Sequence, residues 1–188
     1  MAMSFQATKA HVLTRGEPPD SFLEELVEWG RAADEEIFYP NKNPADIYAH
    51  IKPILGPWTS LLHRRAAMLE VMRVHAGFES SWHWSEGVDV TNQRSVTHLE
   101  SQETGIFQVS FDSTYINSGA MKPFAAEKGI GSVGSFISKM KTDHQLALEY
   151  YARLVRVSIR WAGPLVRHEV DLWLRPEAMN EFAQLLEP

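Results

Sequence analysis

The sequence predicts a mainly α-helical protein with a central buried helix and one small β or irregular region. Residues 59–76 carry apolar side chains on most sides of a helix, and such a helix usually lies at the centre of a fold. Residues 18–36 and 144–162 place apolar side chains three and four positions apart, which is typical of helices buried on one face. Residues 86–104 are polar and lack this periodicity, so we expect a small hairpin or an ordered loop there.

The ends of several elements are also marked in the sequence. Ser21 and Glu24 have capping-box spacing at the start of the first helix. Gly77 suits the left-handed cap of the central helix. Residues 166–174 alternate weakly and predict a short strand, after which Pro176 suits the first turn of a last helix ending near Leu186.

Length and composition indicate one domain. The chain has 188 residues, of which 44% are hydrophobic and 22% charged, and this is ordinary for a globular protein. We divide it into an N-terminal helical arm (1–57) with a short helix around 45–54, a catalytic core (58–165) and a C-terminal extension (166–188). Because the sequence contains no cysteine, disulfides, thiolate metal sites and cysteine catalysis are excluded.

Charge and hydropathy argue against two classes of partner. The formal net charge is −6, whereas nucleic-acid binding requires basic patches that neutralise phosphate. No stretch of the sequence approaches the roughly 20 apolar residues of a membrane-spanning helix. We therefore expect neither nucleic-acid binding nor membrane insertion.

Glu79 is the candidate catalytic residue. It follows a buried helix and lies between Phe78 and Trp82, so its carboxyl group is expected to be partly shielded from water. Shielding and the negative end of the helix dipole both favour the protonated form of a carboxyl group. A glycosidic oxygen leaves only when it receives a proton, which one protonated carboxyl can supply. Taken alone, these residues also fit a surface glutamate that caps the helix or pairs locally.

Three segments occur in an informative order, namely Gly-Phe-Glu-Ser-Ser-Trp at 77–82, Glu-Thr-Gly-Ile-Phe-Gln-Val-Ser at 103–110 and Trp-Ala-Gly-Pro at 161–164. Together they resemble the lysozyme-like superfamily, especially goose-type lysozymes and soluble lytic transglycosylases. In those proteins a helix ends in a catalytic Glu-Ser pair, matched here by Glu79 and Ser80, and a Gly-Leu-Met-Gln segment follows. The later Tyr-Asn-Ala-Gly-Pro segment is matched only in part, because this chain has Arg160 and Trp161 in place of Tyr-Asn.

The resemblance implies a lysozyme-like fold and a peptidoglycan glycoside hydrolase, a muramidase that cleaves β-1,4 bonds between N-acetylmuramic acid and N-acetylglucosamine. Glu79 is then the acid and Glu103 holds the attacking water, with Asp89 and Asp112 as weaker candidates. In an inverting hydrolase two such carboxyl groups stand about 6.5–9.5 Å apart. Gln108 is expected to donate its amide to a sugar N-acetyl group. Substrate contacts are also expected from Ser80, Trp82, Asp89, Ile106, Phe107, Tyr151 and Trp161.

We expect no cofactor and no metal ion. His75 and Glu79 are four residues apart, but the sequence has no H-E-x-x-H, and His63, His83 and His98 are irregularly spaced. The Gly-x-Gly-x-x-Gly pattern at 129–134 lacks the preceding strand that a dinucleotide site requires. A calcium site stays open as an alternative, formed by Glu86, Asp89, Glu100 and Glu103.

The first thirteen residues contain no apolar run and are not a secretory signal. We therefore expect synthesis in the cytoplasm and delivery by a non-Sec route to the periplasm of a target cell. The chain is similar in size and motifs to peptidoglycan hydrolase effectors of type VI secretion, which are antibacterial toxins. That resemblance implies a cognate immunity protein that plugs the cleft. A phage endolysin released through holin pores is the alternative.

Other functions remain compatible with the sequence. A lytic transglycosylase needs no water-activating base and releases anhydro-sugar ends. A non-catalytic lysozyme-like module would bind glycan or serve as a structural protein. An unrelated all-α interaction protein would match the three motifs by chance. A cleft lined by Glu79, Glu103 and Gln108 would argue against that last possibility.

Overall fold

A computed structural model describes residues 3–87 and 97–187, which are mainly helical, as the sequence predicts. The α-helices in the described part of the chain are α1 Asp20–Ala32, α2 Ile47–Leu55, α3 Leu61–Ser80, α4 Ile116–Gly119, α5 Lys122–Glu127, α6 Val133–Thr142, α7 His144–Val157, α8 Gly163–Val166 and α9 Pro176–Leu186. Short 3-10 helices lie at Ala7–Lys9, Glu35–Phe38, Leu99–Ser101, Phe111–Tyr115 and Val170–Trp173. No helix among the described residues is long and apolar enough to cross a bilayer.

Helix α3 lies at the centre of the fold. All residues from 66 to 77 are buried, whichever side of the helix they occupy. The helix packs against α1, α9 and the 3-10 helices Glu35–Phe38 and Val170–Trp173. A helix surrounded in this way is apolar on most sides, because burial removes the need for a polar face. The prediction of a central buried helix therefore agrees with the structure.

The C-terminal end of α3 differs from its prediction. Ser81 and Trp82 adopt left-handed backbone conformations (φ 54° and 62°), and their N–H groups bond to the carbonyls of Gly77 and Ala76. The predicted role of Gly77 as the cap is therefore wrong. An added Cβ on Gly77 would lie 2.7 Å from the Trp82 ring, so this glycine gives the indole space to pack against the helix.

A buried ion pair fixes the middle of α3. Both side chains of Glu70 and Arg73 are fully buried and joined by two hydrogen bonds of 2.7 Å. Arg73 also donates to the carbonyls of Ala10 (2.8 Å) and Trp173 (3.3 Å), and Glu70 accepts from the N–H of Arg175 (2.8 Å). Burial raises the pKa of Glu70, and the charge of Arg73 acts in the opposite direction. The pair thus connects both chain ends to the central helix.

The first helix has different ends from those predicted. The capping box of Ser21 and Glu24 is wrong, because the helix already begins at Asp20 and no side chain caps it. The helix ends at Ala32 rather than near residue 36. Asp34 instead caps a separate 3-10 helix, with its carboxylate accepting a hydrogen bond from a backbone N–H. The last helix, by contrast, spans the residues that were predicted for it.

The strand predicted within residues 166–174 does not form. Helix α8 ends at Val166, and the 3-10 helix Val170–Trp173 follows. The weak alternation arises because Val170 and Leu174 are buried, whereas Leu172 is exposed. Buried residues four apart suit a helical turn as well as a strand.

A small β feature does follow the central helix. Thr104 and Val109 form an antiparallel bridge, and no other β pairing occurs in the ranges 3–87 and 97–187. The bridge closes a turn over residues 105–108. Of the loop or hairpin predicted at 86–104, residues 88–96 lie outside the described residues.

Candidate active site

Two adjoining pockets lie at the C-terminal end of α3. Their volumes are about 550 and 670 Å³, and Glu79, Glu103 and Gln108 line both of them. We call the two pockets together the cleft. Ligand-binding pockets have volumes of about 300–1,000 Å³. The structure thus brings the predicted acid, the predicted base and the predicted amide donor to one place.

The remaining walls of the cleft are mainly polar. The pocket of about 550 Å³ is lined by Phe78 and by Arg15 from the N-terminal arm. The other pocket is lined by Asp112, Trp161 and Arg167, together with serine hydroxyls. Hydroxyls, carboxylates and cations can exchange hydrogen bonds with sugar hydroxyls, and an aromatic ring can contact a sugar face. The walls therefore fit a carbohydrate better than an apolar ligand.

Glu79 lies in the last turn of α3 with its side chain 22% exposed. Its Oε1 is 3.0 Å from Nε2 of the fully buried His75, at an angle outside hydrogen-bond geometry. The other ring nitrogen, Nδ1, is 2.8 Å from the hydroxyl of Tyr151, which is also fully buried. A line of three polar groups therefore runs from the core to the cleft and ends at the carboxyl group of Glu79.

The Tyr151 hydroxyl stays neutral in this environment. Burial raises its pKa well above the ordinary value, and the negative charge of Glu79 adds to the rise. A neutral tyrosine can donate its proton to Nδ1 of His75. In that arrangement the proton of a neutral His75 is on Nε2, beside the carboxylate of Glu79. The two buried side chains thus lie directly behind Glu79, with Nε2 of His75 3.0 Å from its Oε1.

The turn over residues 105–108 is attached to the end of α3. Ser80 Oγ donates to the carbonyl of Ile106 (2.8 Å), and Gln108 Nε2 donates to the carbonyl of Gly105 (2.9 Å). Ser80 is buried and its hydroxyl bonds within the protein, while the residue also lines the pocket of about 550 Å³, so its predicted substrate contact stays a prediction. Gln108 is half-buried and has a second amide N–H for a ligand.

Four other predicted substrate contacts are core residues instead. Trp82, Ile106, Phe107 and Tyr151 are each at most 4% exposed. Phe107 stacks on Tyr151 with ring centroids 3.9 Å apart, and the Trp82 indole N–H donates to a backbone carbonyl. These side chains support the cleft from behind, and none of the four lines either of its pockets.

Two further predicted substrate contacts, Trp161 and Asp89, stay predictions. Trp161 lines the cleft as predicted, and its buried indole N–H has no hydrogen-bond partner in the part of the chain that the structure describes. Asp89 lies outside the described residues.

His75 and Arg15 were missed as parts of the site. In the sequence, His75 stands out only as half of a metal pair with Glu79. Its partner Tyr151 is 76 positions away, and no periodicity along the chain connects the two residues. Arg15 belongs to the N-terminal arm, which the motif resemblance does not cover, so only the fold reveals its place in the cleft.

A larger pocket of about 750 Å³ lies elsewhere, with Trp29 and Phe124 among its lining residues. It contains none of the predicted site residues. Its principal charges are paired, because Arg153 contacts both Glu36 (2.7 Å) and Glu149 (2.9 Å). These charges are thus already engaged with one another. Size alone therefore does not make this pocket the better candidate.

Gly105 provides a test of the geometry of the turn. Its φ is +71°, and an added Cβ would lie 2.6 Å from the backbone oxygen of Met140. We expect Gly105→Ala to lower the free energy of unfolding by about 2–4 kcal/mol, because strain and a backbone clash add. Gly134→Ala is the matched control, because nothing lies near its Cβ position. Urea denaturation measures both, and equal stabilities would contradict the described turn.

The three motifs converge on the cleft. Residues 77–82 form its edge at the end of α3, residues 103–110 line it from the turn, and Trp161, Gly163 and Pro164 complete one wall. Comparison of the chain with protein families, with curated proteins and with solved structures gives no match. The geometry of the cleft and the resemblance of the motifs are thus the grounds on which a function is proposed.

Proposed function

We propose that this chain is a lysozyme-like peptidoglycan glycoside hydrolase, a muramidase in which Glu79 is the general acid. One observation carries the proposal. Glu79 extends from the end of an otherwise buried helix into a polar cleft that also holds Glu103 and Gln108. A carboxyl group at the edge of the core that shares a carbohydrate-sized cleft with a second carboxyl supplies the two acidic groups that glycoside hydrolysis uses.

The reaction follows from these groups. Glu79 gives its proton to the glycosidic oxygen as the bond from that oxygen to C1 breaks. Glu103 takes a proton from a water molecule, which attacks C1 from the opposite face and leaves a reducing end. The second N–H of Gln108 bonds to the N-acetyl group of the substrate. Hydrogen bonds that hold the sugar in place reduce the entropy lost on reaching the transition state.

His75 and Tyr151 position the acid. Tyr151→Phe removes the hydroxyl bonded to His75 and keeps the ring that stacks on Phe107. We expect it to lower stability by about 1–3 kcal/mol, because a buried nitrogen loses its partner. We also expect turnover to fall about 10-fold. A displaced Glu79 that raises the activation free energy by about 1.4 kcal/mol slows the reaction by this factor.

A neighbouring tyrosine supplies the control for that variant. Tyr150 is also buried, and its hydroxyl lies 2.6 Å from Ser113 Oγ rather than beside His75. Tyr150→Phe should lower stability by a similar amount while leaving turnover within about two-fold of wild type. Thermal denaturation and a cleavage assay on both variants separate positioning of Glu79 from general destabilisation. Equal losses of turnover would contradict the positioning role.

Hydrolysis and transglycosylation differ in their product ends. A hydrolase leaves a reducing sugar, and a lytic transglycosylase leaves an anhydro-sugar that lacks one water. We expect wild-type products to be reducible by borohydride, and Glu103→Gln to cleave about 10²–10⁴-fold more slowly because it removes the base. Anhydro ends from the wild type would assign the transglycosylase reaction and remove the role of Glu103. Full activity of Glu103→Gln with reducing ends would assign the base to another group.

The biological setting is proposed from the motif resemblance to type VI effectors alone. We propose that the enzyme acts as an antibacterial toxin in the periplasm of a target cell. Its partners are then peptidoglycan strands and an immunity protein that occupies the cleft. Expression directed to the periplasm of a susceptible bacterium should lyse it, and expression of Glu79→Gln in the same way should not. Lysis by both proteins would exclude a toxicity that depends on Glu79.

A further inference from the structure

Two histidines and an aspartate meet outside the cleft. His50 lies on α2, while His168 and Asp171 follow α8. His50 Nε2 is 3.1 Å from Asp171 Oδ1, and His168 Nδ1 is 2.8 Å from Asp171 Oδ2. One ligand atom from each of the three side chains falls within 4.8 Å of the others. The cluster joins the N-terminal arm to the C-terminal extension.

The ligand set matches a known class of ion. Imidazole nitrogens and a carboxylate oxygen are ligands of Zn²⁺, which binds them at about 2.0–2.2 Å. Two ligand atoms on one tetrahedral ion therefore lie about 3.3 Å apart. The two histidine–aspartate contacts, 3.1 and 2.8 Å, are already close to that separation. The ligand atoms all lie within 4.8 Å of one another, so the widest pair must close by at most about 1.5 Å, which side-chain rotation can supply. Hard cations such as calcium prefer all-oxygen sites and fit this set less well.

The three side chains differ in their exposure, which suits a site at the protein surface. The side chain of His50 is 7% exposed, that of Asp171 22%, and that of His168 66%. An ion held by these groups keeps one coordination position towards solvent, where water completes the tetrahedron. The inner histidine is anchored on a helix, and the outer one can adjust.

The backbone at His168 is unusual. Its φ is +60°, a left-handed conformation that residues other than glycine rarely adopt. The turn is held by hydrogen bonds from His168 N–H to the carbonyl of Leu165 (3.1 Å) and from Glu169 N–H to that of Pro164 (2.9 Å). It brings the His168 ring over that of His50, with centroids 4.4 Å apart. Histidine is one of the non-glycine residues that adopt this conformation most often, and here the turn presents its ring to the other two side chains.

We propose that His50, His168 and Asp171 form a binding site for Zn²⁺ or a similar divalent transition-metal ion. The ion would link α2 to the segment that follows α8. Arg167, which lies next to His168 in that segment, lines the cleft. The site is independent of glycoside cleavage. We expected no metal ion because no suitable ligand spacing occurs along the sequence. His50 and His168 are 118 positions apart, and only the fold brings them together.

The test uses the full chain and the metal alone. Isothermal titration with ZnCl₂ should give one ion per chain, and Co²⁺ should give the visible absorption bands of a tetrahedral site. His168→Gly removes a ligand while suiting the left-handed backbone, so it should fold and bind Zn²⁺ at least about 10-fold more weakly. Asp171→Asn should also weaken binding at least about 10-fold. His63→Ala is the control, because that histidine lies outside the cluster and bonds to Thr59.

Two results would overturn the proposal. If wild-type protein binds neither Zn²⁺ nor Co²⁺, the cluster is a hydrogen-bonded link between α2 and the C-terminal extension and no more. If folded His168→Gly binds Zn²⁺ as tightly as the wild type, the ion occupies another place. Retained binding by His63→Ala together with lost binding by His168→Gly supports the site.

Discussion

Replacing Glu79 with glutamine should lower the rate of peptidoglycan cleavage by about 10²–10⁴-fold, which is the usual contribution of a general acid. Glutamine has nearly the same shape but no proton to give to the leaving oxygen. The side chain is 22% exposed, so the change leaves the core intact. The rate of loss of turbidity from suspended cell walls measures the effect, and circular dichroism shows whether the variant is folded.

Glu86→Gln is the matched control for that experiment. Glu86 lines the pocket of about 550 Å³ but not the other pocket, whereas Glu79 lines both. The same loss of charge at the same end of the cleft should change the rate by less than about three-fold, because Glu86 gives no proton to the leaving oxygen. A folded Glu79→Gln that keeps more than a tenth of the wild-type rate would show that another group is the acid.

Arg73→Met should be the most damaging change to the fold. It leaves the carboxyl group of Glu70 buried without its partner, and breaking a buried pair in this way costs about 3–5 kcal/mol. For a chain of this size we expect a fall in Tm of roughly 10 °C. Glu169→Gln, which breaks the exposed contact of 2.8 Å with Arg167, should lower stability far less, because solvent screens an exposed ion pair. Thermal denaturation compares the two variants.

The sign of the pH dependence can be predicted for Arg73→Met. Burial already raises the pKa of Glu70 above its ordinary value of 4.5, and removal of Arg73 removes the opposing charge. The folded variant then binds a proton more tightly than the unfolded chain. The contribution of Glu70 to the stability of this variant is greatest below pH 4.5 and is lost as pH rises through the pKa of folded Glu70. A variant that gains stability relative to wild type between pH 5 and pH 8 would contradict this account.

A double variant separates the pair from its burial. Glu70→Met with Arg73→Met removes both charges and fills their space with apolar atoms. We expect it to be more stable than Arg73→Met alone, because no buried charge is left without a partner. Its backbone partners, among them Ala10, still lose hydrogen bonds, so it should not reach wild-type stability.

The spacing of apolar residues along the sequence predicted the helices whose formation depends on neighbouring residues alone. Residues 66–77 of helix α3 are buried on every side of the helix. Apolar side chains on all sides are shielded from water only when the helix lies at the centre of the fold. The last helix begins at Pro176 because proline suits the first turn, and its prediction agrees with the structure. The mainly helical class follows from these segments without knowledge of any long-range contact.

What the sequence could not predict depends on contacts far apart in the chain. Gly77 is the residue type that usually caps a helix, but here its lack of a side chain leaves space for the ring of Trp82. Only the packing of the folded chain reveals this. Aromatic residues near a proposed site look like sugar platforms, yet Phe107 and Tyr151 stack on each other in the core. The contact of Tyr151 with His75 likewise depends on tertiary structure, which periodicity does not encode.

The most direct test of the central claim is mass spectrometry of the soluble fragments released from purified peptidoglycan by the wild-type protein and by folded Glu79→Gln. We predict disaccharide-peptide fragments with reducing N-acetylmuramic acid ends from the wild type, and none above background from the variant within the same time. Release of no fragments by a folded wild-type protein would contradict the account. The cleft would then belong to a glycan-binding or structural module rather than an enzyme.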